Sequence, residues 1–310
     1  MAFDVTGLTN YVKENKDLLT KEAVFGSRKG DTIAMVGKEL GVKGKARMHF
    51  LDVNAPLQDG KGCGFSASGN DVLSEREIEV AIMKVNKSWC PDDLIGKVYE
   101  TEVNLAAGKE TLPFEAKLMD EVNLSINKQL EKLVWTGATS GNGGTSLIDG
   151  FLTRALNQDS ASTINVSIAS GTSVYNAVKQ VIFAIPEDIV DNAVVFVAPA
   201  IYRKFVDELV EKNLYHFAPD ANQEDLNITF PGTDIPVHKA IGLTGDKRHI
   251  YATVPENMRF GTDMLNDSEE FRLWFSEDDD VFKLKIKFAA GTGVLYPDMV
   301  VLGTALQDLV

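Results

Sequence analysis

The sequence predicts an α+β protein. Three observations carry that expectation: two strands of alternating residues joined by a glycine-rich tip, one long helix with a single apolar stripe, and a compact α/β module set between that helix and a closing group of strands. At 310 residues the chain is long enough for two domains of ordinary size.

Residues 1–39 mix polar and apolar positions without a sustained period and read as an extended or loosely helical arm. From Lys45 to Val53, Ala46, Met48 and Phe50 fall on one face and Arg47 and His49 on the other, the period of a strand. Pro56, Gly60, Gly62, Gly64 and Gly69 mark a turn-rich stretch. The chain then returns from Glu75 to Lys84, with Glu75, Glu77 and Glu79 alternating with Ile78, Val80 and Ile82. Together these make a long β-ribbon. A two-stranded ribbon is marginal on its own in water, and a tip of about 20 residues is unusual inside a compact domain. Its apolar rows have two possible covers: the chain's own body, the commoner outcome for hairpins, or a second subunit. The second option singles out Met48, Phe50, Ile78, Val80 and Ile82 as subunit-interface residues, with Lys45, Arg47, Glu75 and Glu77 as charged partners at the rim. If Val80 is covered only by another subunit, Val80→Asp leaves the subunit folded and blocks assembly.

Pro113 to Trp135 is the strongest helix. Phe114, Leu118, Val122, Ile126, Leu130 and Leu133 draw one stripe, Pro113 suits the first turn, and Gly137 supplies a stop. A rod of about 34 Å results, long enough to serve as the backbone of a flat molecule. Thr136 to Ser146 and Gln158 to Ser173 read as loops, the second with a short strand at Ile164–Ile168. Helical spacing over Val174–Ile185 ends at Pro186; Ala193–Val197 is a continuous apolar strand of the buried kind; Ala200–Lys212 is a second helix. Strands near Asn227–Phe230 and Ile235–Lys239 flank a Pro231-Gly232 turn, and another runs from Arg248 to Val254. Phe271–Phe275 and Val281–Phe288 alternate cleanly, Gly291-Thr292-Gly293 is read as a turn, and Met299–Leu302 as a last strand. These late strands are expected to form one sheet that packs on the long helix, so that the α/β module is an insertion.

The chain has 31 Lys and Arg against 45 Asp and Glu, a net charge of −14. As a whole it should repel phosphate backbones, and no basic stripe of the kind a sequence-independent nucleic-acid binder needs is apparent. The longest apolar run, Ala193–Tyr202, is broken by Pro199 and falls short of the roughly 18 residues of a membrane span. The amino end lacks the basic and apolar regions of a secretory signal. Cys63 and Cys90 are far apart, which fits a reducing compartment and gives neither a disulfide framework nor a metal spacing.

Chemistry-bearing motifs are sparse. The glycines at 137, 141, 143 and 144 precede no lysine, so there is no P-loop, and no glycine pair gains the third member of a dinucleotide fingerprint. Gly64-Phe65-Ser66-Ala67-Ser68 lacks the closing glycine of a nucleophile elbow and sits in a ribbon tip. His49, His216, His238 and His249 form no zinc-binding pair. Glu277-Asp278-Asp279-Asp280 offers carboxylates to a hard cation but lacks the spacing of a calcium loop, so a solvated hairpin turn is the favoured reading. The sequence assigns no catalytic residue, metal or cofactor.

The order of elements — arm, ribbon, long helix, α/β module, returning strands — resembles the major capsid proteins of tailed double-stranded DNA phages, the Hong Kong phage type. Glu77-Ile78-Glu79-Val80 leading into Val85-Asn86-Lys87-Ser88-Trp89-Cys90-Pro91-Asp92-Asp93-Leu94 is similar to that family's ribbon returning to its spine helix, especially in gut-bacterial (crAss-like) phages. Leu147-Ile148-Asp149-Gly150-Phe151 resembles the turn after the spine, and Asn257-Met258 to Gly261-Thr262-Asp263 the exit from the inserted domain. The resemblance implies an N-arm at 1–39, a β-hairpin E-loop at 40–110, a spine-helix P-domain at 111–170 and 265–310, and an α/β A-domain at 171–264.

It further implies a non-enzymatic shell subunit that forms pentamers and hexamers, encloses DNA without binding it specifically, touches no membrane, and resides in the virion after assembly in the host cytoplasm. A separate scaffolding protein, a portal and decoration or auxiliary capsid proteins are the implied partners, since the short arm leaves no room for a cleaved scaffold segment. Lys61 suits the ribbon lysine that some relatives cross-link, but Leu295–Val310 holds no asparagine to receive it, so assembly is expected to be non-covalent. An encapsulin-like nanocompartment shell shares the same fold, and a two-domain enzyme built on the α/β module is the alternative from another class.

Overall fold

The computed structural model describes residues 11–15, 18–19, 24, 31–52, 54, 56–58, 68–69, 71–90, 114–140, 146–214, 228–263 and 270–310. The ribbon tip with Lys61, Cys63 and Ser66, the stretch around Pro91–Leu94, Pro113 and His216 lie outside them. In chain order the elements are β1 (Gly37–Leu40), β2 (Lys45–Asp52), β3 (Val72–Trp89), α1 (Phe114–Thr136), α2 (Phe151–Leu156), β4 (Ile164–Ile168), α3 (Val174–Phe183), β5 (Val194–Val197), α4 (Pro199–Glu211), β6 (Ile228–Thr229), β7 (Pro236–Lys239), β8 (His249–Thr253), β9 (Met258–Thr262), β10 (Glu270–Ser276), β11 (Val281–Val294) and β12 (Val301–Ala305). A single helical turn, Thr32–Met35, precedes β1.

These strands form two sheets. The first runs β1-β9-β11-β3-β2, with β10 also paired to β11; the second runs β4-β12-β8-β5-β7-β6. In the first, β11 is the hub. Its early residues pair with β10, its late residues with β9, and its other edge with β3 from Phe282↔Trp89 to Thr292↔Glu79. The expected turn at Gly291-Thr292-Gly293 is therefore corrected: these residues continue β11. The glycines serve close packing. A Cβ on Gly291 would sit 2.2 Å from the Glu79 carbonyl oxygen, and one on Gly293 2.6 Å from the Ile78 side chain. The last strand is also corrected. β12 pairs with β4 and β8 in the second sheet and does not join the strands that face the long helix.

Alternation decides which side of the first sheet is covered. Phe271 and Leu273 of β10, Phe282, Leu284, Ile286 and Phe288 of β11, and Met83 of β3 are all buried, in the same apolar core as Val122, Ile126, Leu130 and Leu133 of α1. The helix is buried on more than the expected stripe, since Met119, Val134 and Trp135 are fully enclosed as well. In the second sheet β5 is buried at every position, as its unbroken apolar run requires. Ser173 caps α3 by accepting from the Asn176 N–H, and Pro199 occupies the first turn of α4. Glu208 of α4 reaches across to accept from the N–H groups of Val174 and Tyr175 at 3.0 and 2.8 Å, satisfying the remaining donors at the start of α3.

The end of α1 joins the layers. The Trp135 ring lies 5.8 Å from Phe151, 5.4 Å from Phe196 and 5.3 Å from Tyr251, so one side chain touches α2, β5 and β8. Its indole N–H donates to the Thr32 hydroxyl at 2.7 Å. One turn earlier, the Glu131 carboxylate accepts from the Thr32 N–H at 2.8 Å and the Ile33 N–H at 3.4 Å. A buried glutamate thus caps the helical turn of the arm and fastens it to α1.

Burial pushes the Glu131 carboxyl above the ordinary glutamate value. The hydrogen bonds from Thr32 and Ile33 pull the other way, and the Asp31 carboxylate adds to the rise. Between the ordinary and the raised value the folded chain holds more protons than the unfolded one, so in that window stability increases as pH falls. Glu131→Gln keeps an acceptor for one N–H and removes the titration. Denaturant midpoints measured from mildly acidic to mildly alkaline pH should lose this slope in the variant.

Candidate assembly surface

The ribbon is the element that the sequence singles out, and its two halves behave differently. β2 and β3 pair from Lys45↔Glu79 to Asp52↔Val72. Because side chains alternate, Ala46 and Met48 share one face with Ile78 and Arg76, while Lys45, Arg47 and His49 share the other with Glu79, Glu77 and Glu75.

The apolar face is covered by its own chain at the base. Ile78 is 0% and Val80 7% exposed, enclosed with Val42 and Ala289 in a small second core against which Ala46 and Met48 pack half-buried. Ile78 and Val80 are therefore corrected as subunit-interface residues: Gly261 and Gly293 let β9 and β11 close over them, leaving nothing for a neighbour to cover. Of the apolar residues singled out, Ile82 is 62% exposed, and Leu73 and Val72, which the sequence reading passed over, are 66% and 47% exposed. The Phe50 side chain lies outside the described residues.

The rim charges face one another within the ribbon. Lys45 lies 3.7 Å from Glu77 and 3.6 Å from Glu79; Arg47 lies 3.4 Å from Glu75 and 3.3 Å from Glu77; His49 lies 3.3 Å from Glu75. All these groups are exposed, so each pair adds little, on the order of 0.2–1 kcal/mol. What fixes the ribbon's direction is Arg76, an interaction the sequence reading missed. Its guanidinium meets the buried Asp159 carboxylate at 2.6 Å and donates to the Val294 carbonyl at 2.9 Å. The signal was available: Arg76 stands at an apolar-face position next to Ile78, where a cation needs an anion inside the fold.

The other candidates separate. His249 bonds Asp246 at 3.0 Å; burial pushes that carboxyl up, but the His249 ring and the Arg248 N–H outweigh it and hold it below the ordinary range. His238 is buried with its ring 5.5 Å from Phe196. Glu277-Asp278-Asp279-Asp280 forms the turn between β10 and β11. Among the described residues no group of three or more His, Cys, Asp or Glu could hold a metal, and no helix is long and apolar enough to cross a membrane. A hollow of about 400 Å³ runs between α1 and the first sheet, walled by Met83, Val85, Trp89, Leu118, Val122 and Phe288 among others. Its lining is mostly apolar, with Lys84, Lys87, Glu121, Ser125 and Gln129 as its polar members.

This architecture is that of known shells. The structure is similar to a chain of the satellite phage P4 procapsid that includes the size determination (Sid) protein, with a TM-score of 0.63, 12% identity, and coverage of 100% of this chain and 94% of that one. The chain has the Hong Kong phage-type capsid fold. Similarity extends to the capsid of a native GTA particle (TM-score 0.58, 11% identity, 91% of each chain) and to the virus-like particle from Pyrococcus furiosus (TM-score 0.52, 10% identity, 93% of this chain and 97% of that one). No family model and no curated protein matches the sequence.

Two substitutions separate anchoring from surface. Val80→Asp now places a charge in a closed apolar pocket and should destabilise the subunit by several kcal/mol, at the severe end of single mutations. Arg76→Ala leaves Asp159 buried without its partner. It should cost about 2–3 kcal/mol and speed proteolysis of the ribbon before the rest of the chain is cut, which limited digestion followed by mass spectrometry would read.

Proposed function

We propose that this chain is the structural subunit of an icosahedral phage capsid, self-assembling into pentamers and hexamers that enclose double-stranded DNA. The observation that carries the reading is the extent of the fold match, which runs over the full chain and nearly all of a procapsid chain. In this reading residues 1–39 act as the N-arm, 40–110 as the ribbon laid over a neighbour, 111–170 with 265–310 as the spine-helix domain, and 171–264 as the module around the capsomer axis. β4 and β12, at the edges of the spine-helix domain, hydrogen-bond into the module's sheet and couple the two. The assembly residues are Lys45, Arg47, Met48, Phe50, Glu75, Glu77 and Ile82. The protein works without catalysis, resides in the virion, is built in the host cytoplasm, and uses a scaffolding protein, a portal and decoration proteins.

Similarity to the virus-like particle from Pyrococcus furiosus favours a second reading, an encapsulin-like nanocompartment shell that encloses a protein cargo instead of a genome. The contents distinguish the two: nuclease-resistant DNA in particles from infected cells supports the phage capsid, and its absence the alternative.

Negative-stain microscopy of the purified chain should show shells or ring-shaped capsomers, and a uniform population of single 33.9 kDa particles would remove the shell reading. Ile82→Asp, at an exposed position, should leave the unfolding midpoint within about 0.5 kcal/mol of the parent and reduce the particle yield.

A further inference from the structure

We infer that the β10–β11 hairpin is a head-to-tail contact, its acidic tip seating on the basic sheet face of a second copy of this chain; this rests on the shell reading above. The basic face is a consequence of register. β11 directs Lys283, Lys285 and Lys287 to the side away from α1, and antiparallel pairing sets Lys84 of β3 opposite Lys287 and Arg272 of β10 opposite Lys285. Trp274 stands opposite Lys283, with the Arg272 guanidinium 5.4 Å from its ring. A hollow of about 330 Å³ lies here, lined by Asn86, Ser88, Trp274, Lys283 and Lys285 among others. The expectation that the chain carries no basic stripe is corrected: three of its cations alternate along β11, and register adds Lys84 from β3 and Arg272 from β10.

Like charges directly opposite one another on a sheet face are destabilising, and two such pairs recur here, Lys84 with Lys287 and Arg272 with Lys285. Glu270 holds the register position on the other side of Lys287. On a chain of net charge −14, a face of this kind suits an anionic partner. The same hairpin supplies one. Its turn, Glu277-Asp278-Asp279-Asp280, is exposed at all four positions. Within one copy Asp279 reaches back to Lys283, whose ammonium holds its carboxyl below the ordinary range, together with a hydrogen bond from Ser276. Lys287 lies a further four residues along a straight strand, about 13 Å away, beyond the reach of its own tip. An element that is anionic at its end and cationic along its shaft is complementary to itself head to tail, the heterologous geometry that closes into rings.

Charge reversal tests the contact. The face variant Lys84→Glu with Lys287→Glu, and the tip variant Glu277→Lys with Asp278→Lys, should each lower the assembled fraction in sedimentation at least tenfold while circular dichroism stays that of the parent. Combining all four substitutions should restore assembly. Parental assembly by either variant, or no recovery in the combination, overturns the contact and leaves the shell reading in place. An unaltered chain that stays monomeric overturns the shell reading itself. If the face variant does not fold, the tip variant with Lys84→Gln and Lys287→Gln decides, because the tip is an exposed turn. A labelled duplex oligonucleotide held by the unaltered chain and lost by a face variant that still assembles assigns the face to nucleic acid and overturns the proposal.

Discussion

The pairing of β3 with β11 is the interaction on which the remaining structure depends. One ladder, from Phe282↔Trp89 to Thr292↔Glu79, joins a strand of the ribbon to a strand near the carboxyl end. At one end its side chains face α1 and enter the main core. At the other end the opposite parity is buried, with Ile78 and Val80 closed over by β9 and β11. A single 18-residue strand thus serves two cores on opposite faces, which a regular alternation permits only if the cover changes sides along its length. A slip of one residue would expose both sets at once. This is why the close approaches at Gly261, Gly291 and Gly293 matter: they hold the register at the crossover from one covered face to the other.

A second constraint ties that sheet to its neighbour. Trp135 is fully buried and touches aromatic rings from α2, β5 and β8, while its N–H is bonded to the arm. A Cβ on Gly242 would fall 2.2 Å from the Glu131 carbonyl oxygen and 2.4 Å from the Trp135 ring, so the module's backbone lies directly on the end of α1. The two sheets therefore do not behave as beads on a linker. A chain of contacts runs from the ribbon through Arg76 to Asp159, just past α2, and from Phe151 of α2 to this aromatic joint.

Much of this was legible in the sequence where periodicity is local. The alternation of β2, β3, β10 and early β11, the stripe of α1 and the spacing of α3 and α4 are all written within windows of a few residues, and the structure has them there, with β3 longer at both ends than expected. What was not legible is pairing between distant segments. Gly291-Thr292-Gly293 carries turn composition, and only the proximity of Glu79 and Ile78 explains glycine there. β12 reads as any apolar strand, and nothing in Val301–Ala305 says which sheet it joins. The apolar row of the ribbon reads as uncovered because its cover comes from Val42, outside the alternating run just before β2, and from Ala289, far along the chain. Arg76 was the readable exception, a cation on an apolar face, and its partner Asp159 lies 83 positions away.

These features bear on how a fold can persist at 12% identity with a procapsid chain. A catalytic site would demand specific atoms at specific places. This architecture asks for parity: apolar residues on the covered side of each strand, small ones where backbones touch, and an anion opposite each buried cation. Many sequences satisfy such conditions, so the pattern survives while the residues drift. Surface charge is held by a different requirement. Copies of a chain of net charge −14 repel one another at long range, and within a Debye length of roughly 8 Å at physiological salt only short-range complementarity can overcome that repulsion. Any two copies that meet must do so through such local complementarity, and β11, which already organises the first sheet, carries three lysines on one face.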